Sequence, residues 1–276
     1  MFASLFQLFG RESIKVLALA LTVVGAVPLR AQTDYYNTDR GRPNQVEDAY
    51  TTERYAFELK LAPVRLEREN GGVYTWGVEP EIAYGIFPRT HVELGLPLVH
   101  RDAGAQRQSG VAGLELSVMH NLNAETEGVP ALGLRADLLA PVGNLGPSHA
   151  YGSFTGIATR TWPWVRFHLN AQYTAGPAID GAGAIELSRW LVGGAIDKTF
   201  PLRSSLVSGE VFARQPLAAS ESVEITVGVG ARHQYTTAVA LDAGVGRRLN
   251  GEAPGWYVTF GSAYAFALPF LIPNAR

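Results

Sequence analysis

The chain has 276 residues, a formal net charge of -2, 47% hydrophobic and 17% charged residues, and no cysteine. A pI of about 6.3 and the lack of any basic block with interleaved aromatics argue against a nucleic-acid partner. With no cysteine there is no thiol nucleophile, no disulfide and no Cys-based metal site, so an exported chain of this size must be held by other means, such as a closed hydrogen-bonded ladder.

In chain order, residues 1–31 read as an export signal. Arg11 and Lys15 form a basic start, Val16 to Leu29 is an apolar run, and Ala31 supplies a small residue at the cut. The run is shorter than the roughly 20 residues needed to span a bilayer, and Pro28 interrupts its end. Residues 32–52 carry Asp34, Asp39, Arg40, Arg42, Glu47 and Asp48 and few aliphatics. This segment is expected on the periplasmic side of the first strand, either as a lead-in or folded into a bore as a plug.

From residue 53 the recurring pattern is period two, and no amphipathic helix is evident. "VRFHLNAQYT" sets Val165, Phe167, Leu169, Ala171 and Tyr173 against Arg166, His168, Asn170, Gln172 and Thr174. "ERYAFELKLAPVRL", "YTWGVEPEIAYGI", "HVELGLPLVH", "LELSVMHNL" and "ALGLRADLLAPV" behave alike, as do "ELSRWLVGGAIDKTF", "LVSGEVFARQ", "VEITVGVGARHQY", "AVALDAGVGRR" and "WYVTFGSAYAF". With a weaker segment at Tyr151 to Thr161, about twelve strands are predicted, and 30 glycines with 16 prolines provide the turns. The last ten residues, 267–276, form a tail in which Pro269 and Pro273 stop the final strand.

Short links such as "FPRT", "TWPW", "FPLRS" and "YTT" alternate with longer ones such as "RDAGAQRQSG", "GNLGPSHAYG", "AGPAIDGAGA", "PLAASES" and "NGEAPG". That rhythm predicts an all-β, transmembrane, antiparallel up-and-down β-barrel over residues 53–266, with short periplasmic turns and longer extracellular loops. Aromatics gather at strand ends, so Tyr74, Trp76, Trp162, Trp164, Tyr173, Trp256, Tyr264 and Phe266 are assigned to interfacial girdles touching membrane lipid. The face opposite the apolar series carries mixed charge and is assigned to the lumen: Glu79, Glu81, Glu93, Arg135, Asp137, Arg166, His168, Arg189, Arg232 and Asp242.

Several short segments bear a likeness: "YNTDRGRP" ahead of "ERYAFEL", then "LLAPVG", "FHLNAQYT", "ALDAGVGRRLNG" and "WYVTFGSAYAF". Together, over about residues 38 to 266, the chain resembles the phenol meta-pathway (MetA-pathway) outer-membrane transporter-like family. The resemblance implies a barrel associated with uptake of aromatic or hydrophobic compounds. The chain departs from that pattern at Gly41 and Arg42 and in the tail after Phe266.

Chemistry is sparse. The six histidines show no ligand spacing, with His91, His100, His120 and His233 assigned to the apolar side near strand ends and His149 to a loop, so no metal site and no cofactor are expected. Ser148 and His149 are adjacent, and no G-x-S-x-G elbow occurs, so no enzyme activity is expected. Gly228, Gly230, Gly244 and Gly246 mimic part of a nucleotide fingerprint, but no helix follows, and they are read as bends or as space in the lumen.

Eight strands leave a packed interior and 16 to 18 leave an aqueous channel, so about twelve imply a narrow bore. The leading expectation is a passive outer-membrane channel or transporter for small solutes, hydrophobic or aromatic ones included. A structural or adhesive barrel with a sealed lumen and partner-binding loops is the alternative, and a soluble periplasmic lipid-binding barrel a third. Oligomeric state is not legible in the sequence.

Overall fold

A computed structural model describes residues 33, 36–69, 72–178, 187–218, 221–251 and 254–272, without the side chains of 61–64. The export signal at 1–31 lies outside the described residues. Twelve antiparallel strands close into one barrel. They are β1 (Ala56–Glu69), β2 (Tyr74–Phe87), β3 (Thr90–Gly95 and Leu98–Asp102), β4 (Arg107–Val111 and Leu114–Asn123), β5 (Ala131–Ala140) and β6 (Tyr151–Trp162). The circuit continues with β7 (Val165–Ala175), β8 (Ser188–Phe200), β9 (Ser205–Pro216), β10 (Glu224–Thr236), β11 (Val239–Arg248) and β12 (Gly255–Ala267). Each strand pairs with its neighbours in sequence, and β1 pairs with both β2 and β12, so the ladder closes on itself; the Arg107–Val111 part of β4, above the end of β5, is laddered on one side only.

Two strands are interrupted without being divided. Both halves of β3 keep one register against β2, with Glu81 opposite Gly95 and Val78 opposite Leu98. Pro97 breaks the ladder between them because it has no N–H to donate. In β4 the register steps by one residue around Ala112 and Gly113, a bulge that places Gly113 at φ 139°.

The connections alternate in length around most of the barrel. On one end lie tight turns at 88–89, 163–164, 201–204 and 237–238, and on the other lie the connections at 141–150, 176–187, 217–223 and 249–254. The expected loop "RDAGAQRQSG" is shorter than its polarity suggests. Asp102 pairs with Arg107 in the ladder and by a 3.0 Å ion pair, leaving only residues 103–106 between strands. Likewise "LERE" continues β1 to Glu69. Polar residues at the rim extend strands there because their main chains still find ladder partners.

The period-two faces sort by environment. Along β7, Phe167, Leu169 and Tyr173 are exposed on the outside while Arg166, His168, Asn170 and Thr174 are buried inside. Leu116, Leu134, Phe154, Val192, Val211, Val229, Val245 and Phe260 continue the apolar exterior around the barrel. A membrane barrel has this arrangement, lipid replacing the core as the partner of apolar side chains. Leu169, midway along β7, is expected to be costly to charge. Leu169→Arg should destabilise the barrel by about 2–4 kcal/mol in lipid vesicles, read as a lowered unfolding midpoint in urea.

Candidate functional site

The barrel's core is its bore, and the N-terminal segment fills it. Thr33 lies at the short-turn end, where its amide donates to the Thr237 carbonyl. The chain rises to a turn at Asp39–Arg42, closed by the Arg42 amide on the Asp39 carbonyl, with Gly41 at φ 80° where a side chain would strain. It then returns to Arg54, which bridges Gly85 near the same end. Asp48 ties the two limbs together: its amide donates to the Thr38 carbonyl and its carboxylate accepts from the Thr38 amide at 2.9 Å.

The returning limb has almost no regular structure, so its backbone groups must be satisfied by the wall. Glu210 Oε2 accepts from the amides of Gln45 and Val46 at 2.8 and 2.9 Å. Asn170 accepts from the Glu47 amide and donates back to the Glu47 carbonyl. Thr159 Oγ1 accepts from the Ala49 amide, Asn121 donates to the Ala49 carbonyl, and His91 Nδ1 accepts from the Thr52 amide. Met119, Ala131 and Ile157 complete the seat by packing against Ala49.

Inward glycines make room for this limb. A side chain at Gly85 would collide with Glu53, at Gly193 with Val46 and Phe212, at Gly230 with Pro43, and at Gly244 with the Pro43 carbonyl. The track follows the limb residue by residue. Gly230 and Gly244, which the sequence alone offers as bends or spare space, are contact surface for the segment.

Charge is paired across the same boundary. Arg135 reaches Glu93 and Asp137 at 2.7 Å each and Glu47 of the segment at 3.4 Å. Arg166 grips Asp197 through two nitrogens, at 2.9 and 2.8 Å, and also bonds the Tyr36 carbonyl. His168 sits between Asp197 Oδ2 (2.7 Å) and Thr159 Oγ1 (3.0 Å), the hydroxyl that holds Ala49. Lys60 meets Glu93 and Asp39, Arg40 meets Glu115 and Asp137, and Arg232 meets Asp39 and Glu58. Burial pushes the Glu47 carboxyl up to about 7 despite the pull of Arg135 and Arg40, and raises Asp48 despite Arg166 and His168. Burial acts on Asp39 as well, but Lys60, Arg42 and Arg232 together hold its carboxyl well below the usual range.

Above the turn, toward the long loops, two adjoining cavities of about 240 and 200 Å³ share Gly41, Gln45, Glu79 and Arg214. Glu81, Glu115, Asp137, Leu139, Tyr151 and Leu191 line the smaller one. Arg40 and Arg214 line it too, so the vestibule mixes acidic, basic and apolar groups, and the segment is its floor.

Of the residues assigned to the lumen, Glu93, Arg135, Asp137, Arg166, His168, Arg232 and Asp242 are buried in the bore, and Glu79 and Glu81 line the vestibule. Arg189 departs from the expectation. A bulge between Ser188 and Trp190 shifts the alternation there, and its guanidinium donates to the carbonyls of Thr174 and Gly176 at the rim. In the aromatic set, Tyr74, Trp76, Trp162, Trp164, Tyr173 and Trp256 are exposed and Tyr264 is half-buried. Phe266 is buried instead, stacked between Phe57 and Tyr264 at 5.2 and 5.7 Å.

His91 is also corrected. It shares the parity of Glu93 and faces inward, whereas the exposed His120 and His233 and the half-buried His100 bond Thr90, Ser205 and Ser109. Among the described residues no three His, Asp or Glu side chains are placed to hold a metal ion. The anchoring role of Glu210, Asn170, Thr159 and Asn121 escapes the sequence. Strand parity points them inward, but nothing local says that a distant segment supplies their partners.

Removing one member of a buried charge cluster leaves the others uncompensated. Arg135→Met, which strips the counter-charge from Glu47, Glu93 and Asp137, is expected to cost about 3–5 kcal/mol, measured by chemical unfolding in detergent. Gly244→Leu should leave the barrel folded and heat-modifiable on a gel but unseat Pro43, so that added protease cuts within 36–54.

No family model matches the sequence, and no curated protein matches it. Among solved structures, an outer membrane channel from Pseudomonas putida F1 superimposes with a TM-score of 0.54 at 16% identity, covering 83% of this chain and 100% of that one. The NanC porin (TM-score 0.48, 7% identity, 75% of this chain and 98% of that one) and the KdgM porin (0.46, 14%, 76% and 99%) are similar more loosely and carry no weight. At such identities the likeness is one of fold: this chain has the architecture of outer-membrane β-barrel channels.

Proposed function

We propose that the protein is a passive outer-membrane channel for small solutes, with its short turns and the mouth of its N-terminal segment on the periplasmic side. The single observation that carries this reading is the combination of an apolar exterior with a charged bore that widens into a vestibule toward the long loops. A water-facing barrel would have no use for Leu169, Phe154 and Phe260 on its surface, and a purely packed barrel would have no need of a vestibule.

Uptake of aromatic or hydrophobic solutes in the manner of the MetA-pathway transporter-like family is the finer reading. Leu139, Tyr151 and Leu191 favour it by giving the vestibule apolar surface against which a ring can lie, in the same cavity as the carboxylates of Glu79, Glu81 and Glu115. The seated segment favours a second reading, a barrel sealed for structural or adhesive work, since it occupies the bore from Thr33 to Arg54.

Reconstitution separates the two. Purified protein in liposomes should admit small solutes in a swelling assay, whereas a sealed barrel would admit none. Glu79→Gln combined with Glu81→Gln should lower the preference for cations over anions, since both carboxylates line the vestibule.

A further inference from the structure

The vestibule holds one charge that the protein leaves unanswered. Among the charged side chains lining its two cavities, Arg40 is bonded to Glu115 and, at 3.1 Å, to Asp137. Arg65 meets Glu67 at 3.3 Å, Arg214 meets Glu224 at 2.6 Å, and Glu81 lies 3.7 Å from Lys60. Glu79, half-buried on β2, lines both cavities, and its carboxylate makes no hydrogen bond or ion pair among the described residues. Every cation of the vestibule is already engaged, and one carboxylate is left over.

The wall leaves room around that carboxylate. A Cβ on Gly95 of β3 would stand 3.1 Å from Glu79 Oε1, 3.4 Å from Glu81 Cγ and 3.6 Å from Glu115 Cβ, so three acidic side chains converge over this glycine. Lys60 and Arg40 answer two of them, and the third keeps its charge. Two residues before Glu79, on the same face of β2, Gly77 borders the larger cavity with no atom within 4 Å of where a Cβ would stand. Val99 on β3 and Phe212 on β9, both buried, give that cavity apolar lining. A carboxylate beside two further acids in a confined, partly apolar space favours a cation and repels an anion. The apolar lining favours a ligand with hydrocarbon to bury. Among the described residues no three His, Asp or Glu side chains are placed to hold a metal ion, so an organic cation fits the space better than a bare metal.

We infer that the vestibule is a binding site for a small protonated amine carrying an apolar or aromatic group. The ammonium lies on the Glu79 carboxylate, and the hydrocarbon lies in the larger cavity against Val99 and Phe212, in the space beside Gly77. The site rests on the channel reading and names a class of solute for it. Its chemistry is simple: the ligand supplies the one cation that the vestibule lacks, and buries its apolar part where the wall offers apolar surface.

The test is calorimetric titration of the purified full chain in detergent with phenethylamine as the probe. Saturable binding is expected, about tenfold or more tighter than that of phenethyl alcohol or phenylacetate, which keep the ring and replace the ammonium by a neutral or an anionic group. Ethylamine, which keeps the charge and lacks the ring, should also bind more weakly. Glu79→Gln should bring phenethylamine down to the level of the alcohol. Gly77→Leu, which fills the space without meeting any protein atom at its Cβ, should weaken the amine several-fold while the barrel stays heat-modifiable on a gel. No binding of the amine, equal binding of the alcohol, phenylacetate or ethylamine, or unchanged affinity in either folded variant would overturn the site. Solute entry into liposomes is scored separately on the same preparation. Permeable liposomes without amine binding would remove the site and leave the channel reading standing, whereas amine binding to a barrel that admits nothing would remove the channel reading and leave a binding site alone.

Discussion

A charge inside this barrel has very little water to fall back on, and that shortage governs the rest of the structure. Twelve strands enclose a bore narrow enough for one hairpin of chain, and the wall presents to it Lys60, Glu93, Arg135, Asp137, Arg166, Asp197, Arg232 and Asp242. Left to themselves these groups would be costly to bury. The N-terminal segment answers them with Asp39, Arg40, Arg42, Glu47 and Asp48, one or more partners for each cluster. Bore and segment are therefore a single electrostatic unit. Neither has a sensible charge distribution without the other.

The wall is shaped for that unit as well as charged for it. Where the segment runs close, the inward position is glycine, and where its backbone needs a partner, the inward position is Glu, Asn or Thr. Because an inward residue recurs only every second position along a strand, these choices occupy a small number of sites on several strands. They fall on β2, β4 through β6 and β7 through β11, which the chain brings together only when the barrel closes. Closure thus builds the seat and the lipid-facing belt in one event.

The segment's two limbs divide its work. Main-chain hydrogen bonding and close packing on the returning limb leave little freedom, so it behaves as part of the wall. The rising limb is held instead by long charged side chains of the wall, Arg166 on the Tyr36 carbonyl and Arg232 on the Asn37 carbonyl.

The amino-acid sequence by itself determined the class of fold, its closure, and which face meets lipid. Period-two alternation is a local property, and in "VRFHLNAQYT" it already separates Phe167 and Leu169 from Arg166 and His168. Local too are the tight turns and the aromatic strand ends. What only the tertiary structure decided is which residues meet across the bore. Arg135 and Glu47 are 88 positions apart, and Gln45 and Glu210 are 165 apart. The bulge that carries Arg189 to the rim, the stack that buries Phe266 and the glycines that admit Pro43 and Val46 are likewise set by strand register and closure. Alternation says that a side chain points inward; only the closed ladder says what is waiting there.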